Sequence, residues 1–241
     1  EQNAVPGLTN RILSRFANAI CTAYEELKEI YKGKNVVLTG NPVRSEITSG
    51  TISRADACHY FGLDPNKKIV LLIGGSLGAG TLNEAVKQNK EAIETSGVQL
   101  LWQCGKFYYD KYKDVAEHSS LIQCRMFIDR MDYAYAAADV VISRGGALSI
   151  AELQIVGKPC VLVPSPNVTD DQQTKNVMAL QNKHAAIYVN DKEVKTQLFD
   201  TVFHLLSNEE KKAELSKNLS ALAITNADER IVDEIYKCIK R

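Results

Sequence analysis

Apolar residues recur along this chain in short unbroken runs separated by stretches of helical periodicity, a pattern that predicts strands buried on both faces alternating with helices. From residue 67 onward the runs fall at 69–73, 99–103, 121–126, 140–143, 160–163 and 186–189. Their alternation with helical segments predicts an α/β fold built on a six-stranded parallel sheet. Ahead of that region, 8–19 carries Leu8, Ile12, Leu13 and Phe16 at helical spacing behind Pro6, and 20–23 and 35–38 are short strand-like runs. After Asp191 the chain contains no Pro or Gly and predicts two or three amphipathic helices, the last including 231–239. Thr39, Gly40, Asn41 and Pro42 mark a sharp turn and a domain boundary. We therefore divide the chain into 1–38, the end of a preceding unit, 39–225, the sheet domain, and 226–241, a C-terminal helix.

Composition narrows the function classes. The 241 residues are 45% hydrophobic, enough to bury a sizeable core in one or two domains. Lys plus Arg and Asp plus Glu each total 29, so no basic excess draws the chain to nucleic acid or to an anionic bilayer. Six cysteines without a CxxC pair fit a reducing cytosol, and four histidines without ligand spacing argue against a metal. No apolar segment reaches the length of a membrane span, which leaves only peripheral contact. The chain opens without Met on a loop sequence, as the interior of a longer polypeptide would.

The chemistry concentrates in two glycine turns. Residues 140–176 read as strand, glycine turn at Gly145 and Gly146, helix over 147–156, strand and polar loop, with Glu152 in the first turns of the helix. Ligands bind outside the carboxyl ends of parallel strands, so 145–152 and 164–173 are expected to face one crevice. Glu152 suits ribose hydroxyls as an acceptor; an acidic residue complementing the helix dipole is the other reading. Residues 69–83 run from a strand through Gly74, Gly75, Ser76 and Gly78 into a helix, which aims backbone N–H groups and a hydroxyl at a phosphate. The spacing matches neither a P-loop nor GxGxxG, which excludes a dinucleotide oxidoreductase; tight turning and close packing alone would also explain the glycines. Arg44 stands on a rigid turn as a fork for phosphate or a base edge, or as a solvated side chain. The strand end at Ile128 offers backbone groups to a base, or a side chain to the core. Asp170, Asp171, Gln172 and Gln173 suit sugar hydroxyls, or are caps of the next helix.

These stretches together, EQNAVPGLTNRILSRFA, TGNPVR, GGSLGAGTLN, the strand end at Phe127 and Ile128, SRGGALSIAE and GKPCVLVPSPNVTDDQQTKN, resemble the MurG family of UDP-N-acetylglucosamine transferases. The resemblance covers essentially the whole chain. It implies the GT-B architecture, two Rossmann-like domains with the donor between them, of which 1–38 would close the N-terminal acceptor domain and 39–225 would be the C-terminal donor domain. It implies inverting transfer of N-acetylglucosamine from UDP-N-acetylglucosamine to undecaprenyl-diphospho-muramoyl-peptide, at the cytoplasmic face of the bacterial inner membrane, by a peripherally attached enzyme. By resemblance Ser76 contacts the pyrophosphate, Arg44 lies against the nucleotide, and Ile128 holds the uracil through its backbone. Ala147, Leu148, Ser149, Ile150 and Ala151 surround the diphosphate and ribose, Glu152 binds the ribose, and Gln173 with Gln172 holds the sugar. Asn3 matches a donor-contacting asparagine. No cofactor and no metal is implied, since helix N-termini at Ser76 and Ala147 stabilise the leaving diphosphate.

Three positions depart from the family pattern: Leu77 where glutamine is common, Gly146 at a variable site, and Gln172 for a frequent histidine, which leaves the role of Gln172 open. The family's N-terminal glycine-rich loop with its histidine, and its membrane-facing apolar patch, do not occur in these residues, so the catalytic groups and the acceptor site are expected elsewhere and this chain alone is expected to bind donor without transferring it. Other UDP-sugar enzymes of the same architecture, a glycolipid transferase or an epimerase, and a non-catalytic nucleotide-binding half of a split transferase, are the alternatives.

Overall fold

The computed structural model describes residues 1–239. Six strands, β3 (Ile69–Ile73), β4 (Gln99–Gln103), β5 (Ile122–Arg125), β6 (Val140–Ser143), β7 (Cys160–Leu162) and β8 (Ile187–Tyr188), form one sheet in the order β5-β4-β3-β6-β7-β8. Every pairing in it is parallel, in register Ile69 with Gln99 and Val70 with Val140. Five of the predicted strand runs keep their places or lose a residue or two, and 186–189 contracts to two residues at the sheet edge.

Every residue of β3, β4, β6 and β7 is buried, which explains the unbroken apolar runs, since both faces of the sheet are covered. Side-chain alternation divides the core. Leu71, Ile73, Leu101, Val141 and Leu162 pack on one face with α4 (Arg54–Phe61), α8 (Met131–Ala137), α9 (Ala147–Val156) and α10 (Gln172–Gln181). Val70, Leu72, Leu100, Trp102 and Ile142 pack on the other with α5 (Gly80–Gln88) and α11 (Val194–Ser207). Trp102 Nε1 donates to Asn83 Oδ1 at 2.9 Å while Asn83 Nδ2 donates to the Cys104 carbonyl at 2.9 Å, which fixes the roll of α5 against β4. The start of α4 is set by Ser53, whose Oγ accepts from the Asp56 N–H at 3.1 Å and donates to its carboxylate at 2.6 Å, a reciprocal cap.

The first 38 residues contribute nothing to this sheet. β1 (Ile20–Thr22) and β2 (Val36–Leu38) pair in parallel in a sheet of their own, around Ile20, Tyr24, Leu27 and Tyr31. The helix expected over 8–19 is shorter, α1 (Leu8–Leu13), because i to i+3 bonds from the Arg15 and Phe16 N–H groups tighten the chain at its end. Its apolar residues face outward, with Phe16 just beyond it 82% exposed. Four short helices, α2 (Leu27–Ile30), α3 (Ser45–Thr48), α6 (Lys90–Ser96) and α7 (Tyr109–Tyr112), lie in the connections, and the C-terminal region forms α11, α12 (Glu209–Ser220) and α13 (Ala227–Ile239).

Candidate nucleotide crevice

The strand order doubles back between β3 and β6, whose carboxyl ends open side by side into the two glycine turns, the place where open parallel sheets bind ligands. In the first turn the Gly78 N–H donates to the Gly75 carbonyl at 3.2 Å, and Lys106 and Phe107 donate to the carbonyls of Ser76 and Leu77 at 3.1 and 3.3 Å. Gly78 has φ +95° and lies so close to β4 that an added Cβ would stand 2.2 Å from the Cys104 carbonyl, so close packing is a sufficient reason for this glycine. Ser76 is exposed beyond it. Helix α5 begins only at Gly80, so Ser76 belongs to the turn and is not itself a helix N-terminus.

The second turn leads directly into α9, whose N-cap, Gly146, supplies no side-chain cap. The N–H groups of Ala147, Leu148 and Ser149 therefore point outward without a helical partner. The Ile150 N–H donates to the Gly146 carbonyl at 2.9 Å, and the side chains of Ile150 and Ala151 are buried at 1% and 7% exposure. Of the five expected residues, the first three offer free N–H groups and the last two belong to the helix ladder and the core.

Glu152 is the sixth residue of α9, and no acidic residue occupies that helix's first turn, so dipole compensation does not explain it. Its carboxylate is held from two sides: Tyr135 Oη donates to Oε2 at 2.8 Å, and an Arg44 guanidinium N–H reaches Oε1 at 3.4 Å. Arg44 is 108 positions away in sequence, and its side chain is half exposed, with donors left over. Burial of Tyr135, with the Glu152 carboxylate beside it, raises its phenol well above the ordinary value, so it stays a donor.

Ile128 has a buried side chain, as the packing reading required, and its N–H donates to Gln103 Oε1 at 2.8 Å, which leaves its carbonyl to meet a ligand. Gln173 Oε1 accepts from the Ser165 N–H at 2.9 Å, so its amide N–H groups remain for a hydroxyl. Gln172 reaches back towards the N-terminal segment, where a Cβ on Gly7 would lie 3.3 Å from its Nε2. Asp170 and Asp171 both adopt positive φ, and neither caps α10 through a backbone bond; Asp171 accepts from the Thr174 hydroxyl at 2.6 Å instead. Asn3 lies beside the second turn: its Oδ1 accepts from Asn176 Nδ2 at 3.0 Å, and the same Nδ2 contacts the Gly145 carbonyl at 3.2 Å.

Four supporting residues escaped the sequence reading. Asn176, fully buried, also accepts from the Ala4 N–H at 2.8 Å. Arg144 donates to the carbonyls of Val163 and Pro164 at 3.1 and 3.2 Å, to Thr81 at 2.8 Å and to the Asp191 carboxylate, tying β7 to α5 behind the crevice. Tyr135 and Gln103 were legible only as polar groups at apolar positions, where a buried hydroxyl or amide needs a partner.

The profile of the glycosyltransferase family 28 C-terminal domain matches residues 69–234. A UDP-N-acetylglucosamine--N-acetylmuramyl-(pentapeptide) pyrophosphoryl-undecaprenol N-acetylglucosamine transferase of Flavobacterium psychrophilum is 47% identical over 241 residues, covering 100% of this chain and 65% of its own length. A Parabacteroides distasonis protein of the same name is 44% identical over 243 residues, covering 100% of this chain and 66% of itself. The chain thus spans about two thirds of the length of these relatives. A crystal structure of Acinetobacter baumannii MurG superposes with TM-score 0.78 at 31% identity, covering 98% of this chain and 65% of that one.

Proposed function

The chain belongs to glycosyltransferase family 28, and from that premise we propose that the crevice between the turns after β3 and β6 binds UDP-N-acetylglucosamine and supplies the donor side of an inverting transfer of N-acetylglucosamine to a lipid-linked muramyl-peptide. The α/β sheet is of the GT-B type, and the likeness to MurG read from the motifs extends over the whole chain. The observation that carries the reading is the Glu152 carboxylate, oriented by Tyr135 and Arg44 about one and a half turns below the open N-terminus of α9.

In this reading the N–H groups of Ala147, Leu148 and Ser149, with the Ser76 hydroxyl opposite, stabilise charge as the diphosphate departs. Glu152 accepts from the ribose hydroxyls. The Ile128 carbonyl accepts from the imide N–H of uracil, which cytosine lacks at that position. The Gln173 amide donates to a hydroxyl of the sugar, and Asn3 and Gln172 lie on the side towards the N-terminal segment. Attack from the face opposite the leaving UDP needs a positioned acceptor and a general base, roles we assign to no residue of this chain. Residues 1–38 in this reading belong to the acceptor side and 39–225 to the donor domain, and the C-terminal helix follows as α13 (Ala227–Ile239), the last two residues of the expected 226–241 lying outside the described residues. The intact enzyme works peripherally at the cytoplasmic face of the bacterial inner membrane; among the described residues no helix is long and apolar enough to cross a membrane.

Calorimetric titration with UDP-N-acetylglucosamine, UDP-glucose and NADH tests this directly. Saturable binding of the UDP compounds, tighter for the N-acetylated sugar, with no binding of NADH, is the expected outcome. Equal affinity for NADH and UDP would overturn the assignment.

A further inference from the structure

Gln103 is the last residue of β4 and is 3% exposed, yet it is a polar side chain at the end of an apolar strand. Its Nε2 donates to the Gly75 carbonyl at 3.1 Å and its Oε1 accepts from the Ile128 N–H at 2.8 Å. Each partner admits only one kind of atom, so the orientation of the amide is unambiguous. The backbone adds a third tie, from the Gly74 N–H to the Gln103 carbonyl at 3.3 Å.

We propose that Gln103 is a positioning residue that sets the spacing between the diphosphate turn and the base-binding loop that carries Ile128 after β5. The inference rests on the donor-site reading above. A carboxamide is planar and holds its donor and acceptor at a fixed separation. The carbonyl of Gly75, beside Ser76, and the N–H of Ile128 therefore cannot move independently while both bonds stand. A ligand that reaches from base to diphosphate gains the combined strength of two half-sites only when their separation matches its own length. Ligands that occupy one half-site are indifferent to that separation. Occupation of the Ile128 N–H also leaves an acceptor as the group that faces the base.

The test compares uridine, inorganic pyrophosphate and UDP as ligands of the unaltered chain and of Gln103→Leu and Gln103→Glu, with thermal melting of each. In Gln103→Leu the dissociation constant for UDP is expected to rise on the order of tenfold, the scale of losing buried hydrogen bonds, while those for uridine and pyrophosphate change by less than about twofold. In Gln103→Glu the ionised carboxylate repels the Gly75 carbonyl, but the protonated acid again donates to one partner and accepts from the other. Its UDP affinity, relative to the unaltered chain at the same pH, is therefore expected to recover from mildly alkaline to mildly acidic pH. A residue needed only for folding would instead show uridine, pyrophosphate and UDP affinities recovering together with the melting temperature. If Gln103→Leu does not fold, the pH series of Gln103→Glu carries the comparison alone. Loss of uridine and UDP affinity by the same factor, or unchanged UDP affinity, would overturn the inference while leaving the donor-site reading intact. Failure of the unaltered chain to bind UDP would overturn both.

Discussion

The two glycine turns of the crevice sit at the ends of adjacent strands and look alike in sequence, yet they are held in different ways. The turn after β3 is fixed mostly by backbone bonds, within itself and to the next turn along the sheet, and by the close approach of Gly78 to the end of β4, with the Gln103 amide as its one side-chain tie. The turn after β6 is fixed by side chains from far away: Asn176 is 31 positions from Gly145, and Arg144 reaches Asp191 across 47 positions and Thr81 across 63. The first can carry an exposed serine with no structural duty. The second has its polar supports buried, so stability and ligand geometry there depend on the same groups.

Substitutions can break that contrast. The largest effect is expected at Arg144→Leu, which leaves the Asp191 carboxylate with only the Thr81 hydroxyl in place of its cation, and strands two carbonyls, in a nearly buried place. About 3–5 kcal/mol of stability should be lost, seen as a fall in the urea midpoint. Gly78→Ala should cost about 2–4 kcal/mol, because a Cβ there meets the Cys104 carbonyl in a left-handed backbone. Retention of wild-type stability would show that the first turn is looser than described. Ser76→Ala should leave stability within about 0.5 kcal/mol yet weaken UDP binding by roughly three- to tenfold, through the loss of one hydrogen bond to a charged group. An effect confined to the melting temperature would reverse the assignment of this turn as the ligand-only one.

The smallest effect sharpens the account of Glu152. The phenol of Tyr135 has its pKa raised by burial and by the carboxylate, so the folded protein keeps this proton where the unfolded chain gives it up. The contribution is complete below the ordinary tyrosine pKa, near 10, and is lost as pH rises from there towards the folded value. Tyr135→Phe should therefore flatten the alkaline decline in stability by up to one proton's worth of slope, measured as urea midpoints across that range. An unchanged slope would mean that the phenol is not held as described.

What could be read from the sequence follows the same division. The buried strands announce themselves because a strand covered on both faces is a continuous apolar run, and the glycine turns because they are local. Glu152 and its place on the helix over 147–156 were both legible, but its orientation was not, because it depends on Arg44 and Tyr135, 108 and 17 positions away. Gln103, Asn176 and Arg144 are ordinary polar residues until the sheet brings their partners to them. The helix over 8–19 was overdrawn because apolar spacing alone does not reveal where i to i+3 bonds take over.

The central claim, that two differently supported turns form one nucleotide diphosphate site, is most directly tested by following backbone amide resonances during titration with UDP. The account predicts that the N–H signals of Gly75 and Ser76 and those of Ala147, Leu148 and Ser149 shift together along one saturation curve, and that Glu152→Ala moves the midpoint of both sets equally. Shifts confined to one turn, or two curves with different midpoints, would contradict it.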